Sequence, residues 1–227
     1  VNGNVDLYAV VFNRTTETDL TEDQLPQVDI YKYKQVIFVG DSRTEFMENV
    51  LTGMGESATK NVKFVCSAGK GLDWFTTTGW AQLYSIVQHD SNSILSKKTA
   101  VIFNFGVNDL SKSADYAEYY NWIAPQLKSK GCELYFMSVN PVNRLMLPNA
   151  GRADRSEAAV RSFNQYMKAN LSSAYTYIDM YSYLKSTGYS FASDHYGTGT
   201  VDDGLHYTTR TYKRIFAKCM DSLRVPA

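Results

Sequence analysis

Four short stretches of this chain pair a chemically capable side chain with a turn. Ser42 stands in Gly40-Asp41-Ser42-Arg43, directly after the apolar run Val36-Ile37-Phe38-Val39. A serine where a strand turns into a helix lies in the positive field of the helix N-terminus, which suits a nucleophile whose attack builds negative charge. The competing reading is a helix cap, because Ser42-Arg43-Thr44-Glu45 fits the S-x-x-E capping box. Both roles are compatible, since a backbone N–H at that turn can also donate to an oxyanion. His206 follows Asp203 by three residues. At that spacing a carboxylate can reach Nδ1 and fix the imidazole tautomer, although a surface Asp–His pair has the same signature. Asn108, in Gly106-Val107-Asn108-Asp109, is either a turn former or a side-chain amide aimed at an oxyanion. Gly69 and Gly71, in Ser67-Ala68-Gly69-Lys70-Gly71, either permit a tight turn or let an N–H approach a substrate closely. The two remaining histidines carry no such pattern: His89 ends a helical stretch, and His195 lies in a loop-like segment.

These stretches need a frame. Gln35 to Gly40, Val62 to Cys66, Ala100 to Phe105, Leu134 to Val139 and Tyr175 to Ile178 are short apolar runs of the kind buried in parallel sheets. Helical spacing lies between them. Phe46, Met47, Val50 and Leu51 share one face and stop at Gly53; Trp80, Leu83, Tyr84 and Val87 share another. A long helix is expected from about Ala114 to Lys130, with Pro125 kinking or splitting it and Gly131 ending it. Ser156 is placed to cap a helix reaching about Leu171, and Thr208 opens a last one carrying Tyr212, Ile215, Phe216, Cys219 and Leu223 on one face. Strands alternating with helices imply a parallel sheet covered on both sides, whose ligands bind at the carboxyl ends of the strands. All four candidate stretches fall at such ends or their equivalent. Residues 1–34 differ from the rest: Thr15 to Gln27 is polar and acidic, and Val5 to Phe12 is a lone candidate strand. They are expected to form an N-terminal extension, either packed on the domain or a linker from another module, with the domain occupying residues 35–227.

Composition narrows the function. The 227 residues carry 23 basic and 23 acidic side chains, a net charge of zero, which argues against nucleic-acid binding. No run of about 18 apolar residues suggests a membrane span, and no basic-then-apolar leader opens the chain. The three cysteines, Cys66, Cys132 and Cys219, are too scattered for a disulfide framework or a metal knuckle and are expected to be small buried hydrophobes. Phosphate-loop, dinucleotide, zinc-protease and Gly-x-Ser-x-Gly signatures are all missing, and no metal site is expected.

Taken together, Gly40-Asp41-Ser42, the glycines near residue 70, Gly106-Val107-Asn108-Asp109 and Asp203-Gly204-Leu205-His206 resemble the four blocks of the SGNH, or GDSL-like, hydrolases over about residues 35–222. The resemblance implies a flavodoxin-like three-layer α/β/α sandwich with a five-stranded parallel sheet. It implies Ser42 as nucleophile, His206 as general base and Asp203 as its orienting carboxylate. The oxyanion donors would be the N–H of Ser42, a block-two glycine N–H and the Asn108 amide, and no cofactor is needed. Arg43 departs from the family, where leucine is frequent. Block two lacks the usual Asn-x-Gly, so Gly71, one step deeper in the turn, is preferred as donor, with Gly69 next. Of the adjacent Asp202 and Asp203, only the second has the family's spacing to His206.

The implied activity is serine esterase chemistry on short acyl esters, with acetyl on a carbohydrate favoured, because the strand-end loops carry Arg43, Lys70, Asn143 and Arg144 and little apolar material. Arg43, Trp74, Asn143, Arg144 and Tyr207 are expected to line the site, with Phe75 and Trp80 nearby. Rival functions on the same frame are an acyltransferase to sugar hydroxyls, a lysophospholipase or thioesterase, and a catalytically dead binding module. The expected partner is a small-molecule or glycan ester, in an extracellular or cell-surface setting and within a larger multidomain protein.

Overall fold

Four of the five strands run into a turn or loop that carries a candidate residue. The computed structural model describes residues 19–21, 24–29, 32–89, 98–192, 197–198 and 201–223. The candidate strand at Val5 to Phe12 and the loop around His195 lie outside the described residues, as does the side chain of His89. Five strands, β1 (Tyr33–Gly40), β2 (Val62–Cys66), β3 (Lys98–Asn104), β4 (Cys132–Met137) and β5 (Tyr175–Ile178), pair in the order β2-β1-β3-β4-β5, all parallel. This is the flavodoxin-like order, and its switch point lies between β1 and β3. Ser42 follows the first of these strands and Asn108 the second.

Strand alternation divides the core. Ile37, Val39, Val101, Phe103, Leu134 and Phe136 face one helical layer, while Val36, Phe38, Ala100, Ile102, Tyr135 and Met137 face the other. The first layer comprises α3 (Leu72–Trp74) and α4 (Trp80–His89), joined by a π-helical turn at Phe75–Gly79, with α5 (Ser113–Ser129) and α6 (Glu157–Asn170). The second holds α1 (Ser42–Gly53), α7 (Met180–Thr187) and α8 (Thr209–Ser222); a single turn, α2 (Glu56–Thr59), follows α1. Ser156 and Thr208 cap α6 and α8 as expected, accepting from the amides of Ala159 and Thr211.

Four details add to or depart from expectation. Pro125 neither splits nor ends α5, which runs through it from Ser113 to Ser129. A proline costs about 3 kcal/mol in a helix, but Tyr116, Tyr120, Ile123 and Leu127 are buried on both sides of it, and burying a large apolar side chain returns roughly 1.5–3 kcal/mol. The sheet begins at Tyr33, two residues before Gln35, and Leu25 and Val28 are buried in the second core layer, with Asp19 ion-paired to Lys213. Cys132 and Cys219 are buried, whereas Cys66 is half-buried and its thiol donates to Glu48; all three are free. Finally, Asp41 and not Ser42 caps α1, accepting from the Arg43 amide at 3.0 Å.

Candidate active site

With Asp41 supplying the cap, the Ser42 hydroxyl is free for other work. Its Oγ lies 2.9 Å from His206 Nε2, and His206 Nδ1 lies 2.7 Å from Asp203 Oδ2. The three side chains are all buried, and the residues joined span 164 positions of chain. Asp203 Oδ1 accepts from the amides of Leu205 and His206, a local turn that follows from the three-residue spacing. Gly204 makes that turn possible: its φ is +72°, and a Cβ there would meet the Asn143 carbonyl at 2.3 Å. Phe46, one turn along α1 from Ser42, stacks on the imidazole with ring centroids 4.3 Å apart.

Electrostatics assign the protons. Burial works against the Asp203 carboxylate, but hydrogen bonds and charge from His206 outweigh it and hold its pKa at about 2. An ionised carboxylate only accepts, so His206 Nδ1 carries a hydrogen and Nε2 presents its lone pair to the Ser42 hydroxyl. Burial lowers the His206 pKa against the raising pull of Asp203, and Arg43 and Arg152 lower it further. A neutral, oriented imidazole beside a serine is the arrangement of a general base and its nucleophile.

A cavity of about 410 Å³ opens over Ser42 and His206, and Gly69, Asn108, Arg152 and Arg155 share its wall. Ser42 is the first residue of α1, so its N–H has no acceptor within the helix. Gly69 has φ +71° and open space around its missing side chain. Its neighbours' amides are committed, Ala68 to Glu45 and Lys70 to the Ser67 carbonyl, whereas the Gly69 N–H has no acceptor among the described residues. Gly71 is elsewhere. A Cβ on it would collide with the Asp109 carboxylate, and that carboxylate binds the Leu72 amide and the Tyr116 hydroxyl. The glycine beside the nucleophile is therefore Gly69, not the Gly71 that turn depth suggested.

The expected lining residues are mostly committed to the protein. Arg43 is 3% exposed; its guanidinium donates to the carbonyls of Leu205, Asn140 and Pro141 and lies over the Tyr207 ring. Tyr207 is fully buried, with its hydroxyl on the Pro141 carbonyl. Asn143 is buried and binds Asp202 and the Gly204 carbonyl, shaping the loop that carries His206. Trp74 packs against Phe105, Phe75 is core, and Trp80 leans on Tyr84. Arg144 is paired with Asp154 and borders a second cavity of about 430 Å³, which shares Asn108, Ala153 and Arg155 with the first. Sequence reasoning missed Arg152 and Arg155. They lie in an irregular segment before Ser156, where no periodicity or motif marks them, and the one cue is that the segment follows a strand end.

A family model for GDSL-like lipase/acylhydrolase matches residues 36–219. The chain belongs to that family. The GDSL-like assignment makes it an ester-hydrolysing enzyme, and its fold is shared by solved structures of low identity. An SGNH hydrolase from Slackia heliotrinireducens is 12% identical, with 85% of this chain and 100% of that one covered at a TM-score of 0.59. An acetyl xylan esterase, AlAXEase, is also 12% identical, with 84% and 100% covered at 0.57. An acylhydrolase from Bacteroides fragilis is 16% identical, with 88% and 92% covered at 0.53. No curated protein sequence matches. No helix among the described residues is long and apolar enough to cross a membrane.

Proposed function

We propose that the protein hydrolyses short-chain acyl esters, acetyl above all, on a carbohydrate or similarly polar carrier, through an acyl-serine intermediate. The observation that carries this reading is the unbroken hydrogen-bonded series Asp203–His206–Ser42 opening on a polar cavity. In the first step His206 Nε2 takes the Ser42 proton as Oγ attacks the acyl carbon. The developing oxyanion is met by the N–H groups of Ser42 and Gly69 and by the Asn108 amide. The imidazolium, stabilised by Asp203, then protonates the leaving alcohol. Water, activated by the same imidazole, releases the acid and restores the serine.

Polarity of the surroundings supports the substrate class. Beside Ser42 the wall offers Gly69, Asn108, Gly151, Arg152 and Arg155; its apolar side chains are the small Ala68 and Ala153, the buried Leu205, and Phe46, which is stacked on His206. The adjoining cavity adds Asp109, Ser111, Arg144 and Asp154. A long acyl chain needs apolar walls that these residues do not provide. The acetyl xylan esterase of the same fold is in keeping with such a substrate on this frame. A polysaccharide ester would also suit an extracellular or surface setting.

The test joins a mutation to a substrate series. Ser42→Ala should fold normally, lose nearly all esterase activity and lose labelling by a fluorophosphonate. On p-nitrophenyl esters from acetate to octanoate, kcat/KM should be highest at acetate, and acetate should be released from acetylated xylan. Full turnover by folded Ser42→Ala would overturn the mechanism. A kcat/KM climbing steadily to octanoate would overturn the acyl-length assignment, and failure to release acetate from any acetylated glycan would overturn the carrier.

A further inference from the structure

The Asn108 side chain is gripped at both ends. Its Nδ2 donates to the Lys70 carbonyl at 2.8 Å, and its Oδ1 accepts from Arg155 Nη2 at 2.9 Å. We propose that Arg155 is a positioning residue for the hydrolytic step, locking the Asn108 amide with its NH2 group turned toward the oxyanion. The inference rests on Asn108 acting as an oxyanion donor, as proposed above.

An asparagine amide has two orientations, and only one serves an oxyanion. A guanidinium donates and never accepts, so the atom of Asn108 facing Arg155 must be the carbonyl oxygen. The atom facing the Lys70 carbonyl must be the nitrogen, for the converse reason. Turning the amide over would set N–H against N–H and oxygen against oxygen, losing two hydrogen bonds. One Nδ2 hydrogen is spent on Lys70, and the other is left for a ligand in the cavity that Asn108 shares with Ser42 and His206.

Arg155 is itself held. Its Nε donates to the Val107 carbonyl at 2.6 Å and its Nη1 to the Ala153 carbonyl at 2.9 Å. One guanidinium thus grips both the backbone before Asn108 and the Asn108 side chain, fixing the turn and the amide together. Among the described residues no carboxylate pairs with Arg155. Its charge falls on three carbonyl oxygens, the Asn108 side-chain oxygen among them, and a cation on the oxygen of an amide makes the N–H at the other end a stronger donor. Such polarisation is set before the reaction starts, which is the condition under which oxyanion stabilisation is most effective.

A double-mutant cycle on purified enzyme with p-nitrophenyl acetate tests the proposal. Asn108→Ala should lower kcat by about 10²–10³, the range for one lost oxyanion donor. Arg155→Met should lower kcat by at least about tenfold and no further than that ceiling, with KM within about twofold. Arg155→Lys, which keeps the charge and one donor, should fall between Arg155→Met and the parent. In the Asn108→Ala background Arg155→Met should cost nothing more in kcat, because the residue through which it acts is gone. Thermal melts establish that each variant is folded, and Arg155→Lys carries the same cycle if Arg155→Met is not. An unchanged kcat in folded Arg155→Met overturns the proposal while leaving the Asn108 reading intact. So does an equal loss in both backgrounds. An undiminished kcat in Asn108→Ala removes the Asn108 reading and the proposal with it.

Discussion

Arg43 and Leu205 are 162 positions apart, yet Arg43 Nε donates to the Leu205 carbonyl at 2.9 Å, tying the residue after the serine to the residue before the histidine. The same guanidinium binds the carbonyls of Asn140 and Pro141 beyond β4. One buried side chain thus ties the start of α1 to two loops, and the relative positions of all three set the distance from Ser42 to His206. A cation that sequence placement suggested for substrate recognition works on the protein instead.

Arg43→Met should therefore be a stability and geometry variant. It strands the buried carbonyls of Leu205 and Asn140, each costing about 1–3 kcal/mol when left without a donor, while Pro141 keeps the Tyr207 hydroxyl. A total near 3 kcal/mol lowers Tm by roughly 10 °C in a domain of this size. Calorimetry would check the melt, and kcat should fall even well below the new Tm. An unchanged Tm with altered substrate preference would make Arg43 a substrate contact after all.

The adjacent acids should behave very differently. Asp203 binds Nδ1 of His206, whereas Asp202 binds the Gly204 amide and Asn143. Loss of the orienting carboxylate costs about 10⁴ in turnover in the chymotrypsin-type example. Asp203→Asn is expected to approach that loss, and Asp202→Asn to stay within about tenfold of the parent, as a hydrogen-bonded loop change would. Comparable losses in kcat for the two variants would reassign the carboxylate.

Burial lowers the His206 pKa, with Arg43 and Arg152 adding to it against Asp203. The acid limb of kcat/KM should then lie below the ordinary imidazole value of about 6.5. Arg152 also donates to Asp203 Oδ2 at 3.1 Å. Removing this cation favours the protonated imidazole, so in Arg152→Ala the limb should move to higher pH. A pH–rate profile from about pH 4.5 to 8 measures it; a shift to lower pH would contradict the assignment.

Asp41 offers a stability test with a defined sign. Burial pushes its pKa up to about 6, against the lowering effects of the Arg43 amide and guanidinium. A folded pKa above the unfolded one means that the ionised form opposes folding, so stability is lost as pH rises through about 4 to 6. Asp41→Asn keeps a capping oxygen and has no charge to bury. Its Tm relative to the parent should rise from pH 4 to pH 7, with a ceiling on the order of 3 kcal/mol. A difference that is flat with pH would mean that Asp41 is not strained by its charge.

Much of this enzyme is written in local pattern. Apolar runs and helical stripes located all five strands and the long helices, though not the short α2, α3 and α7, because strand and helix periods depend on neighbours in the chain. Asp203 and His206 could be paired from a spacing of three, since their turn closes on itself. The order of the Ser42, Asn108 and His206 blocks pointed to one family for the same reason: each block sits at a strand end or its equivalent. Tertiary structure alone decided what surrounds them. Gly69 and Gly71 differ by two positions in one turn, and only the packing of Asp109 against Gly71 separates them. Arg43, Tyr207 and Asn143 look like surface groups beside a crevice until the β4 loop folds over them. Arg155 carries no local signal, because its partner Asn108 is 47 positions away. Contacts of that kind are fixed by which loops the sheet order brings together, and a side chain's neighbours along the chain do not specify its neighbours in space.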